Sequence, residues 1–93
     1  MAGHSISKDD YAARLRKIEG QVRGLQRMID EDKYCIDVLT QIGSVTKALQ
    51  SVGIGLIDEH LRNCVQEATA RSEDEGDAKI HEATAAIARL LRT

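Results

Sequence analysis

The 93-residue chain contains no proline, no phenylalanine and no tryptophan, and only two tyrosines. The absence of proline permits long uninterrupted helices. Because aromatic side chains normally supply much of the area that a core buries, this core must be built from Leu, Ile, Val and Ala. A chain of this length is also near the lower limit for a sufficient core of its own. We therefore expect it to self-associate.

Cysteine and long apolar runs are also scarce. Two cysteines, Cys35 and Cys64, are too few for a disulfide scaffold. No apolar run approaches the ~20 residues of a transmembrane helix, and the first ten residues are too polar for a signal peptide. We expect a cytoplasmic protein with reduced thiols and no membrane association. The net charge of −2 argues weakly against nucleic-acid binding, but the distribution of charge matters more than its total.

The spacing of apolar residues predicts an all-α chain of three helices, without any strand pattern. A flexible arm is expected over residues 1–7, with Ser7 as the N-cap of a first helix from residue 8 to 30. An acidic break at 30–32 ends that helix. Residues 8–93 are expected to form a single domain.

The second helix, predicted over residues 34–71, shows the clearest periodicity. Apolar residues recur every seven positions from Cys35 to Leu56, and valines fill the matching third positions, as in a heptad seam. Glycines near position 53 permit a bend. The sequence SEDEGD, residues 72–77, is predicted to form a charged turn before a short third helix. Two copies that pair their first two helices would make a four-helix bundle.

Cys35, His60 and Cys64 are the candidate metal ligands. Two thiolates and one imidazole make a soft donor set that suits Cu(I) or Zn. His60 and Cys64 are four residues apart and share one face of a helix. Cys35 precedes His60 by ~37 Å if one helix connects them, at ~1.5 Å per residue. One chain could not close that site, but two antiparallel chains could. The alternative is that the cysteines and the histidine are ordinary core residues.

Positive charge is concentrated in the first helix. Between Arg14 and Arg27, five basic residues face a single acidic one, Glu19, whereas the rest of the chain is acidic. Such a stripe can lie against the DNA backbone, and Gln21 could hydrogen-bond a base or a phosphate. The alternative is a solvated helix face. Without a helix-turn-helix pattern, the groove and the mode of sequence readout stay open.

The stretch RLRKIEGQVRGLQRMI, followed by YCIDVLTQI and then HLRNC, closely resembles the copper-sensitive operon repressors, a branch of the all-helical metal-responsive repressors. The likeness covers about residues 8–92. It implies a disc-shaped homotetramer, a dimer of antiparallel dimers, that binds operator DNA when metal-free. Cu(I) would bind between protomers, to Cys35 of one chain and His60 and Cys64 of the other. Copper loading would weaken DNA binding and derepress copper-resistance genes.

The same resemblance implies roles for further residues. Tyr34 and, more loosely, Glu82 match side chains that contact the metal ligands rather than the metal. A glutamate of this kind could orient His60 through its second nitrogen. The family's DNA contacts carry over to Arg14, Arg16, Lys17, Gln21 and Lys47.

Related sensors differ in their ligands. A nickel or cobalt sensor would have His where this chain has Cys64 and would use an N-terminal His, which His4 could supply. A persulfide sensor would keep both cysteines but lack His60, and the formaldehyde type has Pro at position 2, where Ala2 stands here. A persulfide or thiol-redox repressor, a nickel/cobalt repressor, a helical adaptor and a copper chaperone remain alternatives. No nucleophile–base pairing is visible, so we do not expect an enzyme.

Overall fold

The structure is a computed structural model that describes residues 8–92. This part of the chain is helical nearly throughout and contains no strand, so the predicted all-α fold is confirmed. The arm expected over residues 1–7, with Ser7, lies outside the described residues. The elements in chain order are α1 (Lys8–Asp30), α2 (Cys35–His60), a π turn (Leu61–Val65), α3 (Gln66–Arg71) and α4 (Glu73–Arg92).

The predicted long middle helix is present, with one irregular turn. Its backbone stays right-handed helical through both junctions of the π turn, with φ −59° and ψ −45° at His60 and φ −60° and ψ −44° at Gln66. Ser72, with φ −166° and ψ 154°, ends it. The irregularity thus follows His60 rather than the glycines near position 53. Such π turns occur frequently at functional sites.

α1 ends in a backbone motif at the predicted acidic break. Asp32 adopts φ 53°, in the left-handed region. The Lys33 N–H donates to the Met28 carbonyl at 2.9 Å, and the Asp32 N–H donates to the Ile29 carbonyl at 3.1 Å. These two bonds are those of a Schellman motif, which satisfies the last carbonyls of the helix and turns the chain away.

The prediction that residues 72–77 form a turn is wrong, because α4 already begins at Glu73. The Ser72 Oγ accepts a hydrogen bond from the Glu75 N–H at 3.1 Å, and the Ser72 carbonyl accepts one from the Gly76 N–H. An N-cap and an acidic first turn both stabilise the start of a helix. The sequence S-E-D-E is therefore a helix start rather than a solvated turn.

The chain divides into two compact units, an N-terminal unit that ends at Val52 and a C-terminal unit that begins at Gly53. The single domain expected over residues 8–93 stays a prediction. α2 contributes to both units. None of the described helices is long and apolar enough to span a membrane.

In the N-terminal unit, α1 packs on α2 through only one of the two heptad rows. Val45 and Val52 are buried, together with Tyr11 and Ile18 of α1, and Leu25 and Ala48 pack against them. The alternate rows of both helices stay exposed. We call this set the exposed apolar face: Leu15, Val22, Ile29, Ile42 and Leu49.

The C-terminal unit packs through small residues instead. Ala68 and Ala83 are 0% and 2% exposed, and Gly76 is buried. A Cβ atom built on Gly76 would lie 3.1 Å from the Cα of Thr69, which is tighter than ordinary van der Waals contact, so the close approach of α3 and α4 favours glycine there. At Gly53 the Cβ would lie 2.8 Å from Leu90 Cδ2, which is the end of a side chain and not backbone.

Candidate functional site

Two of the three predicted metal ligands lie at the π turn of the C-terminal unit. His60 is the last residue of α2, and Cys64 lies within the π turn. The His60 side chain is 32% exposed, and Cys64 is a partly buried free thiol. A π turn closes its hydrogen bonds over one more residue than an α turn. The relative direction of the two side chains is therefore set by this turn and not by the α-helical period from which it was predicted.

His60 faces a carboxylate of α4. Its Nε2 atom lies 3.8 Å from Glu82 Oε1, and the same oxygen lies 3.9 Å from Lys79 Nζ. The His60–Glu82 separation is slightly longer than a hydrogen bond. Both residues line an open cavity of about 400 Å³, together with Leu56, Ile57 and Arg89. With Nε2 turned towards Glu82, Nδ1 is the ring nitrogen left for another partner.

Tyr34 and Cys35 form the start of α2, in the N-terminal unit. The Tyr34 carbonyl accepts hydrogen bonds from the N–H groups of Asp37 and Val38 at 3.0 and 3.2 Å, which begins the helix. The Tyr34 residue is 69% exposed, and Cys35 is an exposed free thiol. Neither side chain is used in the core of its unit.

No three side chains of His, Cys, Asp or Glu within residues 8–92 come together in a group that could hold a metal ion. The assignment of Cys35, His60 and Cys64 as ligands, with Tyr34 and Glu82 beside them, stays a prediction. Among these residues, the structure brings His60 and Glu82 together.

The predicted DNA-contacting residues of α1 lie around a cavity in the N-terminal unit. Arg14, Lys17 and Gln21 line a space of about 200 Å³, and Ser51 of α2 lines it with them. Its remaining lining residues are apolar, so the described lining of this cavity contains no carboxylate. Arg16 and Lys47 are exposed and are not among the lining residues. Sequence reasoning missed Ser51, whose only signal was a small polar residue beside the buried Val52.

Gln21 also lines a second, wider groove of about 510 Å³. Its Oε1 atom is a buried side-chain acceptor without a hydrogen-bond partner among the described residues. Lys17, Arg27 and Gln41 line the same groove, and Gly20 and Gly24 form part of its wall. Elsewhere on α1, Arg23 pairs with Glu19 at 3.8 Å, which partly neutralises the only acidic residue of the stripe. Basic residues of α1 thus line both spaces, Arg14 and Lys17 the smaller one, and Lys17 and Arg27 the wider one, which Glu31 also lines.

Comparison with known proteins identifies the class. The model of the family described as metal-sensitive transcriptional repressor matches residues 7–89, and the chain belongs to this family. The resemblance seen in the sequence is thereby confirmed, as is the prediction of a transcriptional repressor rather than an enzyme. The chain is 60% identical over 91 residues to the copper-sensing transcriptional repressor RicR of Mycobacterium tuberculosis, covering 98% of this chain and 95% of RicR.

Further relatives share the sequence or the fold. The chain is 42% identical over 71 residues to the copper-sensing transcriptional repressor CsoR of Bacillus subtilis, covering 76% of this chain and 70% of that protein. The structure of CsoR with Cu(I) from Geobacillus thermodenitrificans matches with a TM-score of 0.78 and 36% identity, over 92% of this chain and 91% of that one. The structure of the nickel-responsive transcriptional regulator InrS matches with a TM-score of 0.79 and 30% identity, over 97% of this chain and 99% of that one. One fold therefore serves sensors named for different metals.

Proposed function

We propose that this protein is a cytoplasmic, copper(I)-responsive transcriptional repressor. In this proposal it binds operator DNA when metal-free and releases the DNA when Cu(I) binds, so that copper-resistance genes are expressed. Relatives described as copper-sensing support it. The observation that carries it is the imidazole of His60, whose Nε2 lies 3.8 Å from Glu82 Oε1, four residues before the free thiol of Cys64.

The donor set fits Cu(I). Both cysteines are free thiols, and two thiolates with one neutral imidazole suit a soft ion that accepts three ligands. Glu82, by accepting the Nε2–H of His60, would hold the tautomer in which Nδ1 is the ligand. Cu(I), when bound, would supply the positive charge that holds two thiolates together. Cys35 of one protomer with His60 and Cys64 of a second copy completes the proposed set.

The exposed apolar face supports pairing of two copies. Each large aliphatic side chain contributes about 1.5–3 kcal/mol when it becomes fully buried. Leu49 is 45% exposed and Ile29 is 65% exposed, so a second chain has apolar area to cover on both helices. Antiparallel pairing through this face forms the proposed four-helix bundle, and two such dimers form the proposed homotetramer.

The smaller cavity of the N-terminal unit, of about 200 Å³, is the proposed binding site for a DNA phosphate. Arg14 and Lys17 provide the charge, and Gln21 and Ser51 provide neutral donors beside them. Arg16 and Lys47 add contacts to the same backbone in this proposal. For B-DNA, each phosphate that the protein neutralises contributes about 0.9 to the slope of log K against log salt.

Coupling between copper binding and DNA binding requires only that the two ligands favour different arrangements of the protomers. Cys35, when it is held by His60 and Cys64 of another copy, would change the tilt of the helices and misalign the basic surfaces on α1. A coupling free energy of about 1–3 kcal/mol is typical of such linkage.

A nickel-responsive regulator is the second candidate, because InrS has the same fold at 30% identity. Nickel favours harder, nitrogen-rich ligands, whereas two of the three donors proposed here are sulfur. A thiol-redox or persulfide sensor would need only Cys35 and Cys64. His60→Ala separates that sensor from a copper sensor.

The test is fluorescence anisotropy of labelled upstream DNA, bound to reduced protein and titrated with anaerobic Cu(I). The wild type should release the DNA at about one copper per chain, by a tenfold or greater loss of affinity. Cys64→Ala and His60→Ala should keep DNA affinity and lose the copper response. His81→Ala removes an exposed histidine of α4 and is the matched control, expected to behave as wild type.

DNA binding that persists under Cu(I) would overturn the copper assignment. Release by Ni(II) or by a persulfide donor, under the same conditions, would then identify the alternative sensor. An absence of salt-dependent binding to any duplex would leave a helical adaptor as the better description.

A further inference from the structure

One oxygen atom of Glu82 lies close to both the imidazole of His60 and the ammonium group of Lys79. Its Oε1 is 3.8 Å from His60 Nε2 and 3.9 Å from Lys79 Nζ. The histidine contact joins α4 to the end of α2, whereas the lysine contact stays within α4, three residues back along the helix. The carboxylate that is proposed to orient His60 is thus shared with a lysine.

The two partners are unequal. The lysine ammonium has three donors and a full positive charge, whereas a metal-binding histidine is neutral and offers one N–H. An oxygen that is held by the ammonium is a weaker acceptor for the imidazole. A shorter Lys79–Glu82 contact therefore weakens the interaction of Glu82 with His60. A shorter His60–Glu82 contact likewise weakens the interaction of Glu82 with Lys79.

We propose that Lys79 is a positioning residue that competes with His60 for Glu82, and that it thereby lowers the affinity of His60 and Cys64 for their metal. This inference rests on the proposed function. Lys79 does not contact the proposed metal ligands in the described residues; it acts on His60 through Glu82. Its role is to set how much metal is needed to trigger the response.

The exposure of these groups sets the size of the effect. The side chains of Lys79 and Glu82 are 41% and 62% exposed, so solvent and salt weaken their attraction. Exposed ion pairs contribute little free energy, so we expect the loss of this pair to change the affinity for Cu(I) by about two- to fivefold. The change should shrink as ionic strength rises.

The experiment compares Lys79→Gln with Arg89→Gln. Arg89 is also on α4 and lines the same cavity as His60 and Glu82, so the two variants change the net charge equally. Cu(I) affinity is measured by competition with a chromophoric chelator at low and high salt. Separately, ¹⁵N chemical shifts of the His60 ring report the tautomer in the reduced, metal-free protein.

Lys79→Gln should bind Cu(I) about two- to fivefold more tightly at low salt and raise the fraction of His60 with an unprotonated Nδ1. Arg89→Gln should do less in both measurements. In a Glu82→Gln background, Lys79→Gln should have no further effect, because the shared acceptor has lost its charge.

Two results would overturn the inference: an unchanged His60 tautomer in Lys79→Gln, or an affinity gain that persists without the Glu82 carboxylate. An affinity gain that persists without the Glu82 carboxylate would mean that the positive charge of Lys79 acts on the site directly and not through Glu82. If the wild type failed to bind Cu(I), the proposed function would fall. The ring shifts would still decide whether Lys79 and His60 compete.

Discussion

The two units of this small chain pack their helices through different kinds of side chain. The N-terminal unit buries one row of apolar residues from each helix and leaves the other row exposed. The C-terminal unit uses Ala68, Gly76 and Ala83 to bring α3 and α4 into close contact. Both units leave large apolar side chains exposed, Ile80 and Leu91 among those of the second, but only the second brings two helices together through small residues.

This difference agrees with where the candidate groups lie. Glu82 and His60 meet within the C-terminal unit, where close helix packing can hold a side-chain pair in place. Arg14, Lys17 and Gln21 lie in the N-terminal unit, which also carries the exposed apolar face. In the proposed function, copper acts on the DNA surface by changing how protomers associate, because the basic residues of α1 and the exposed apolar face belong to the same unit.

The largest effect is expected when charge enters the exposed apolar face. Leu49→Glu should weaken self-association by more than about 100-fold, since two Leu side chains are lost from each dimer and two carboxylates would be desolvated. Sedimentation velocity over a range of concentrations measures the change. Ser44→Glu, at an exposed polar position of α2, is the charge-matched control. Equal association of both variants would show that this face is not the dimer contact.

A pair of glycine substitutions tests the two kinds of packing. Gly76→Ala should destabilise the fold by about 1–3 kcal/mol, because the new methyl group has no room beside Thr69. Gly20→Ala should stabilise it by up to ~1 kcal/mol, since its Cβ meets no atom within 4 Å and alanine favours the helix.

Urea denaturation measures both glycine variants at one fixed protein concentration, because association contributes to apparent stability. A loss of stability of the same size in both variants would contradict the contrast between the units. DNA binding is not used as the readout, since Gly20 borders the groove beside the basic residues.

The smallest effect is expected at the start of α4. Ser72→Ala removes the acceptor of the Glu75 N–H and should destabilise the fold by about 1 kcal/mol. Ser72→Asp retains an acceptor and should stay close to wild type. Hydrogen exchange of the first-turn amides of α4 locates the change. Unaltered exchange in the alanine variant would show that the acidic first turn alone fixes this helix start.

Much of the helical layout was predictable from local pattern. The first helix was predicted over 8–30 and is found there, and the middle helix was predicted over 34–71 and runs over 35–71 with its π turn. Apolar periodicity over two dozen residues is a strong signal. The residues 72–77 were misassigned, because their charge was weighted above the cap that Ser72 provides.

The candidate site was predictable only as a set of residue types. Cys35, His60 and Cys64 were identified by their donor chemistry, and Glu82 by resemblance. The 3.8 Å approach of Glu82 to His60 could not be predicted, because it depends on how α4 packs on the end of α2. The contact of Lys79 with Glu82 is local to α4, but its competition with His60 depends on that packing. Likewise, no local signal placed Ser51 beside Arg14 and Lys17.

The sequence by itself determined that the chain is helical, where its longest helices begin and end, and which side chains are suited to a soft metal and to DNA. These are local properties, since helix period, donor type and charge do not depend on distant contacts. The tertiary structure decided which heptad row is buried on α1, where the middle helix takes its π turn and which partners share Glu82. The packing of α1 on α2 and the approach of Glu82 to His60 depend on contacts between residues that are distant in sequence, which no local pattern specifies.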